Sequence, residues 1–243
     1  MQTYYMKNNQ ILFLTALKSE AIPIIKKYKL DSVPNFEKLK IYQKDNIYLL
    51  IIGIGKRNTI NSIQKYIKQS NNIKNMICIN IGTAGGNSSV SKIGELFYIN
   101  KITDDITKKS FFPDVLFHHR MKESELVTVK DPILNKNKKY KTLIDMEAYW
   151  IFDILSSFIP SHRLIFIKII SDHMNFNKIN KARFEQLSKI LIEENLKKVE
   201  RYISMIESSD IISERLISDE EKEYIKKLKY HLSLTETQKY KLD

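Results

Sequence analysis

Four short, nearly continuous apolar runs limit what this chain can fold into: residues 11–17, 47–52, 76–81 and 164–170. Each is too short for a core helix and too apolar for a strand with one wet face. Strands buried on both faces are the remaining choice, and these are typical of parallel sheets covered by helices. Amphipathic segments lie between the runs. Ile60, Ile63 and Ile67 share one face of a helix expected from about Asn58 to Gln69, and a long helix is expected from Lys178 to Met205. Shorter strands are expected at 38–43, 95–102, 124–130 and 141–145; a helix capped by Ser19, with Pro23 in its first turn, is expected after the first run, and another at 147–158. This alternation predicts an α/β fold with a central mixed sheet flanked by helices. Ligands of such folds bind beyond the carboxyl ends of the strands.

The chain has 243 residues, of which 43% are hydrophobic. That is enough for one large α/β domain, placed at residues 1–205, with a small helical C-terminal extension at 206–243. Ser208-Ser209-Asp210 reads as the linker. Beyond it Ser218 with Glu221, and Thr235 with Gln238, fit capping boxes. No apolar run reaches the ~18 residues of a membrane span, and the first apolar stretch runs into Lys18-Ser19-Glu20 without a cleavage site, so neither a membrane partner nor a secretory signal is expected. The single Cys78 excludes an internal disulfide and fits a reducing cytoplasm. The net charge of +12 comes mostly from Lys scattered along the chain. Without a compact Arg-rich stripe, it does not predict nucleic acid as a partner. His118-His119 has no companion ligands at metal spacing, so no metal is expected.

Glycine is more telling. There are six, all between Gly53 and Gly94: Gly53-Ile-Gly55, Gly82-Thr-Ala-Gly-Gly86 and Gly94. A chain so sparing with glycine uses it where the backbone needs positive φ or something must approach closely. The first two groups follow buried strands, as does Ser171-Asp172, and Glu20 stands just past the first strand. Alone, each has a plain structural use: Glu20 and Glu147 as charges at helix N-termini, Ser171-Asp172 as a cap, and the glycines as turns.

In order, however, they resemble the methylthioadenosine/S-adenosylhomocysteine nucleosidases of the nucleoside phosphorylase superfamily. Ile11-Leu-Phe-Leu-Thr-Ala-Leu-Lys-Ser-Glu20 is similar to the opening strand of that family, and Gly53-Ile-Gly-Lys56 to its second glycine turn. Asn80-Ile-Gly-Thr-Ala-Gly-Gly86 followed by Lys92-Ile-Gly-Glu95, Asp145-Met-Glu-Ala148, and Ile170-Ser-Asp172 resemble its remaining motifs. With Phe111-Phe-Pro-Asp114 and the tail included, the chain also resembles a divergent branch associated with spore photoproduct lyases.

The resemblance implies the three-layer nucleoside phosphorylase-like fold, a homodimer, no cofactor, and hydrolysis of the N-ribosidic bond of a 5′-modified adenosine. It implies Glu20 as the base that activates water and Asp172 as the acid that protonates the purine near N7. Glu147 would hold the ribose hydroxyls, with Met146 against the sugar. Thr83 and Ser171 would join the hydrogen-bond network, and Ile133 lies where main-chain groups read adenine. Carboxylates with separate duties suit this class of bond cleavage. Lys168 stands where the family has an Arg that helps hold the water, and Lys lacks the planar fork. Phe111, Phe112 and Phe117 are either packing residues or a cover for the 5′ end. Two alternatives share the fold: a phosphorylase using phosphate, and a non-catalytic nucleoside sensor or scaffold.

Overall fold

The computed structural model describes residues 10–34, 38–70, 73–116, 118–133, 140–175 and 180–208, with residues 223, 224 and 227. In chain order the elements are β1 (Gln10–Thr15), α1 (Lys18–Tyr28), β2 (Asp31–Ser32), β3 (Lys40–Lys44), β4 (Ile47–Ile51), α2 (Gly55–Gln69), β5 (Met76–Gly85), β6 (Leu96–Asp104), β7 (Ser110–Phe111), β8 (Lys122–Thr128), β9 (Leu143–Asp145), α3 (Ala148–Leu155), β10 (Leu164–Asp172) and α4 (Lys181–Glu207).

The apolar runs form the centre of one mixed sheet. β1 lies between β4 and β5, parallel to both, and β5 is also parallel to β10. Strand alternation separates two cores. Leu12, Leu14, Leu50, Cys78 and Phe166 pack with Ile63 and Tyr66 of α2 and with Tyr149, Ile151 and Phe152 of α3. Their sequence neighbours Ile11, Phe13, Leu49, Ile77, Ile79, Ile165 and Ile167 are just as buried. On that side the Tyr28 ring of α1 packs tilted against Phe13, and α1 is tied to α4 by the ion pair Lys27–Glu200 at 3.0 Å. The sheet is thus covered on both faces, and the α/β class with helices flanking a mixed sheet is confirmed.

The hydrophobic pattern does not reveal that one end of the sheet closes. β10 pairs with β6, β6 with β8, β8 with β9, and β9 returns to β5, which already pairs with β10. Five strands form a ring, and β1, β4, β3 and β2 extend from it as an open wing. The ring brings the ends of β5, β9 and β10 together.

Several element boundaries differ from the sequence reading, each for a local reason. α1 starts at Lys18 with Leu17 as its cap residue, and Ser19 lies inside the helix. Pro23 is therefore beyond the first turn. α2 begins at Gly55, three residues before the expected start, because Gly55 at φ 78° opens it. β5 runs through Gly85, so most of the expected glycine loop is strand. Phe111 stacks on Phe152 at 4.7 Å and approaches Tyr149 at 4.9 Å, so it packs into the core. Phe112 is exposed. Phe117, the basic loop at 135–139 and the expected capping boxes of the tail lie outside the described residues. Residues 209–243 form a second compact unit, in which residues 223, 224 and 227 are helical.

Candidate active site

A pocket of about 240 Å3 opens where β1, β5, β9 and β10 end. Glu20, Thr83, Ile133, Met146, Glu147, Ser171 and Asp172 all line it. The seven span the chain from Glu20 to Asp172, and the sheet order brings them together.

Glu20 occupies the first turn of α1 and is 2% exposed. Its Oε2 accepts hydrogen bonds from the backbone N–H groups of Ala16 (3.1 Å) and Leu17 (3.0 Å). Its Oε1 accepts from the Thr83 N–H (2.8 Å) and the Thr83 hydroxyl (2.9 Å). The first pair explains why α1 starts where it does: the carboxylate reaches back to satisfy N–H groups that the helix leaves open. The second pair ties the helix to β5. Gly82 makes room for this, since a Cβ there would stand 3.1 Å from Glu20 Oε1.

Asp172 ends β10 and is half-buried. Its Oδ1 accepts from the Met174 N–H at 2.7 Å. The Ser171 hydroxyl is 2.9 Å from Asp172 Oδ2 and 3.3 Å from the Ala84 carbonyl oxygen. That hydroxyl carries one proton and has two acceptors. It can donate to an ionised Asp172, or turn to Ala84 and accept from a protonated Asp172. The site therefore accommodates both states of the acid.

Glu147 precedes α3 and accepts from the Gly55 N–H at 2.8 Å through Oε1. The left-handed backbone of Gly55 aims that N–H across the pocket. Burial, then the neighbouring Asp145, pushes the Glu147 carboxyl up to about 8, and Lys168 and the Gly55 bond only partly offset this. Met146 contributes to the wall, with its Cε 3.8 Å from the Cβ position of Gly55. Ile133 and Met146 pack on a small apolar cluster of Val129, Tyr140, Ile144 and Met174. Val129, Ile133, Ile144, Met146 and Met174 of this group line the pocket and make that side of it apolar.

The sequence reading passed over Asp145 and Met174 as site residues, and it gave Lys168 a different task. Lys168 is 2% exposed and does not line the pocket. Its ammonium is bonded to Asp145 Oδ2 at 2.9 Å. Burial alone would lower its pKa, but Asp145, Glu147 and Glu20 together raise it, so it stays charged. The Lys168 ammonium thus points to Asp145. Asp145 stood in plain view beside Met146-Glu147, but only its pairing with a cation from β10 distinguishes it from an ordinary helix cap. Among the described residues, no group of acidic, His or Cys side chains forms a metal site.

No protein-family model matches the chain, and no curated relative does either. Solved structures do match. The chain is similar to the 5′-methylthioadenosine nucleosidase of Arabidopsis thaliana, with a TM-score of 0.65 at 19% identity over 82% of this chain and 96% of that one. It is similar to a mutant of the Helicobacter pylori 5′-methylthioadenosine/S-adenosyl homocysteine nucleosidase with 5′-methylthioadenosine in its active site (TM-score 0.64, 14% identity, 81% and 99% covered). It is also similar to the futalosine hydrolase of Helicobacter pylori strain 26695 (TM-score 0.63, 15% identity, 80% and 97% covered). The fold is the one these nucleosidases share.

Proposed function

We propose that this protein is a nucleosidase that hydrolyses the N-ribosidic bond of a 5′-modified adenosine, such as 5′-methylthioadenosine, S-adenosylhomocysteine or 5′-deoxyadenosine, and releases adenine. One observation carries the reading: Glu20, Glu147 and Asp172 line a single pocket, each with different hydrogen-bond partners. In the reaction Glu20 takes a proton from water, the water oxygen bonds to C1′, and the C1′–N9 bond breaks. Asp172 gives its proton to N7 as electrons flow into the purine. Glu147 accepts hydrogen bonds from the ribose hydroxyls while positive charge develops on the sugar. The apolar wall around Ile133 and Met174 suits a purine face.

To act as a base, Glu20 must give up one of its four donors. Three are fixed backbone N–H groups, and the fourth is the Thr83 hydroxyl, which can rotate. Thr83 thus supplies a donor that yields when Glu20 accepts the proton.

The phosphorylase reading is weaker. No Lys or Arg lines the pocket among the described residues, and a phosphate there would face carboxylates. A sensor or scaffold would have no need for a half-buried acid with a hydroxyl that serves both of its states. We place the protein in the cytoplasm as a homodimer, with residues 206–243 as an extension outside the nucleosidase domain. No helix among the described residues is long and apolar enough to cross a membrane.

The test is purine release from a panel of adenine nucleosides, with and without phosphate. Adenine release independent of phosphate supports hydrolysis, and strict dependence on phosphate overturns it. Asp172→Asn is expected to reduce turnover by about 10²–10⁴-fold while nucleoside binding persists.

A further inference from the structure

Glu147 is the cap residue of α3, yet its side chain does not cap that helix. An acidic cap residue ordinarily turns onto the N–H groups of its own first turn. Here two of those groups are taken by other side chains. The Ala148 N–H donates to Asp145 Oδ2 at 2.9 Å, and the Tyr149 N–H donates to the Thr128 hydroxyl oxygen at 3.0 Å. The Thr128 hydroxyl in turn donates to Asp145 Oδ1 at 2.7 Å. Lys168 bonds to Asp145 from β10. Thr128, Asp145 and Lys168 are 1%, 6% and 2% exposed. The parallel register of β8 and β9 sets Thr128 opposite Asp145, and the Val129 N–H bonds to the Asp145 carbonyl at 2.8 Å, so the arrangement is pinned by main chain as well.

We propose that Thr128, Asp145 and Lys168 form a positioning unit that caps α3 in place of Glu147, leaving the Glu147 carboxylate free to face the nucleoside. The inference rests on the reading of Glu147 as the ribose-holding carboxylate. With its own helix satisfied, Glu147 sends Oε1 across to the Gly55 N–H. Among the described residues no hydrogen bond is made to its Oε2, the atom left for a ribose hydroxyl. Lys168 completes the unit electrostatically. Its ammonium balances the charge of Asp145 beside Glu147 and so offsets part of the repulsion that Asp145 exerts on the Glu147 carboxyl.

The experiment measures binding by calorimetry to the full chain carrying Asp172→Asn, which slows turnover. The ligands are adenosine, 2′,3′-dideoxyadenosine and adenine. Thr128→Val removes one hydroxyl at nearly constant volume, Asp145→Asn removes the charge, and Lys168→Met removes the cation. Each is expected to weaken adenosine binding by about tenfold or more and to leave the dideoxynucleoside and adenine unchanged. Lys168→Arg should retain most of the adenosine affinity. In a background that already carries Glu147→Gln, Thr128→Val should cost nothing further for adenosine. Equal losses for all three ligands, or an undiminished loss in the Glu147→Gln background, overturn the unit and leave the nucleosidase reading standing. If the Asp172→Asn chain binds none of the three ligands, the nucleosidase reading fails and the unit falls with it. If Asp145→Asn does not fold, Thr128→Val decides the matter alone, because it introduces no buried charge.

Discussion

Two corners of one pocket hold a glutamate in opposite ways. At the β1–α1 corner, Glu20 accepts four hydrogen bonds and staples its own helix to β5. At the β9–α3 corner, Glu147 accepts one, from a glycine 92 residues away, while other side chains support its helix. Glu20 is therefore part of the architecture as well as of the proposed chemistry, whereas Glu147 is relieved of structural duty. A carboxylate that must stay put while receiving a proton suits the first arrangement. One that must exchange its partners for a ligand's hydroxyls suits the second.

Substitution can break this contrast. Glu20→Gln should have the largest effect, lowering kcat by about 10²–10⁴-fold. It should also destabilise the fold by about 1–3 kcal/mol, because the amide NH2 must face N–H donors wherever it points; thermal denaturation reads this loss. Glu147→Gln should divide the two properties. KM for an adenine nucleoside should rise by roughly tenfold or more from lost charged hydrogen bonds, with stability equal to or above the parent's, since a buried carboxylate has been removed. Equal melting losses in the two variants would erase the difference between the corners. Gly82→Ala comes next: its Cβ would stand 3.1 Å from Glu20 Oε1 and shift the base, so kcat should fall by about tenfold while KM holds.

The finest test uses pH. The Glu147 carboxyl is raised from 4.5 to about 8 in the folded chain. Between those values the folded state holds a proton that the unfolded state has released, so stability falls as pH rises through this window. The parent should lose stability from pH 5 to pH 8 relative to Glu147→Gln, measured by denaturant titration at each pH. A steeper decline in the variant would contradict the assignment. At pH 7, binding of a nucleoside with both ribose hydroxyls should release protons, and binding of adenine should not.

Much of the α/β architecture was legible because its signals are local. Continuous apolar runs mark strands covered on both faces, and β1, β4, β5 and β10 lie where those runs stand. Boundaries were less legible. The start of α1 depends on a carboxylate reaching back three residues, and the extension of β5 through Gly82 and Gly85 depends on β10 being alongside. All seven nominated residues line one pocket, but Asp145 and Lys168 escaped that list. Their importance lies in a bond between positions 23 residues apart, and nothing in either local sequence encodes it.

The sequence by itself determined which segments are strands and helices, where glycine is spent, and which carboxylates stand just past strand ends. These follow from the periodicity of side chains and the steric freedom of single residues, both properties of neighbours along the chain. Only the tertiary structure decided that the sheet closes into a ring, that Glu20 is held by four donors and Glu147 by one, and that Lys168 serves Asp145. Hydrogen bonds and ion pairs form between atoms about 3 Å apart, and strand order, not sequence distance, sets which side chains come that close.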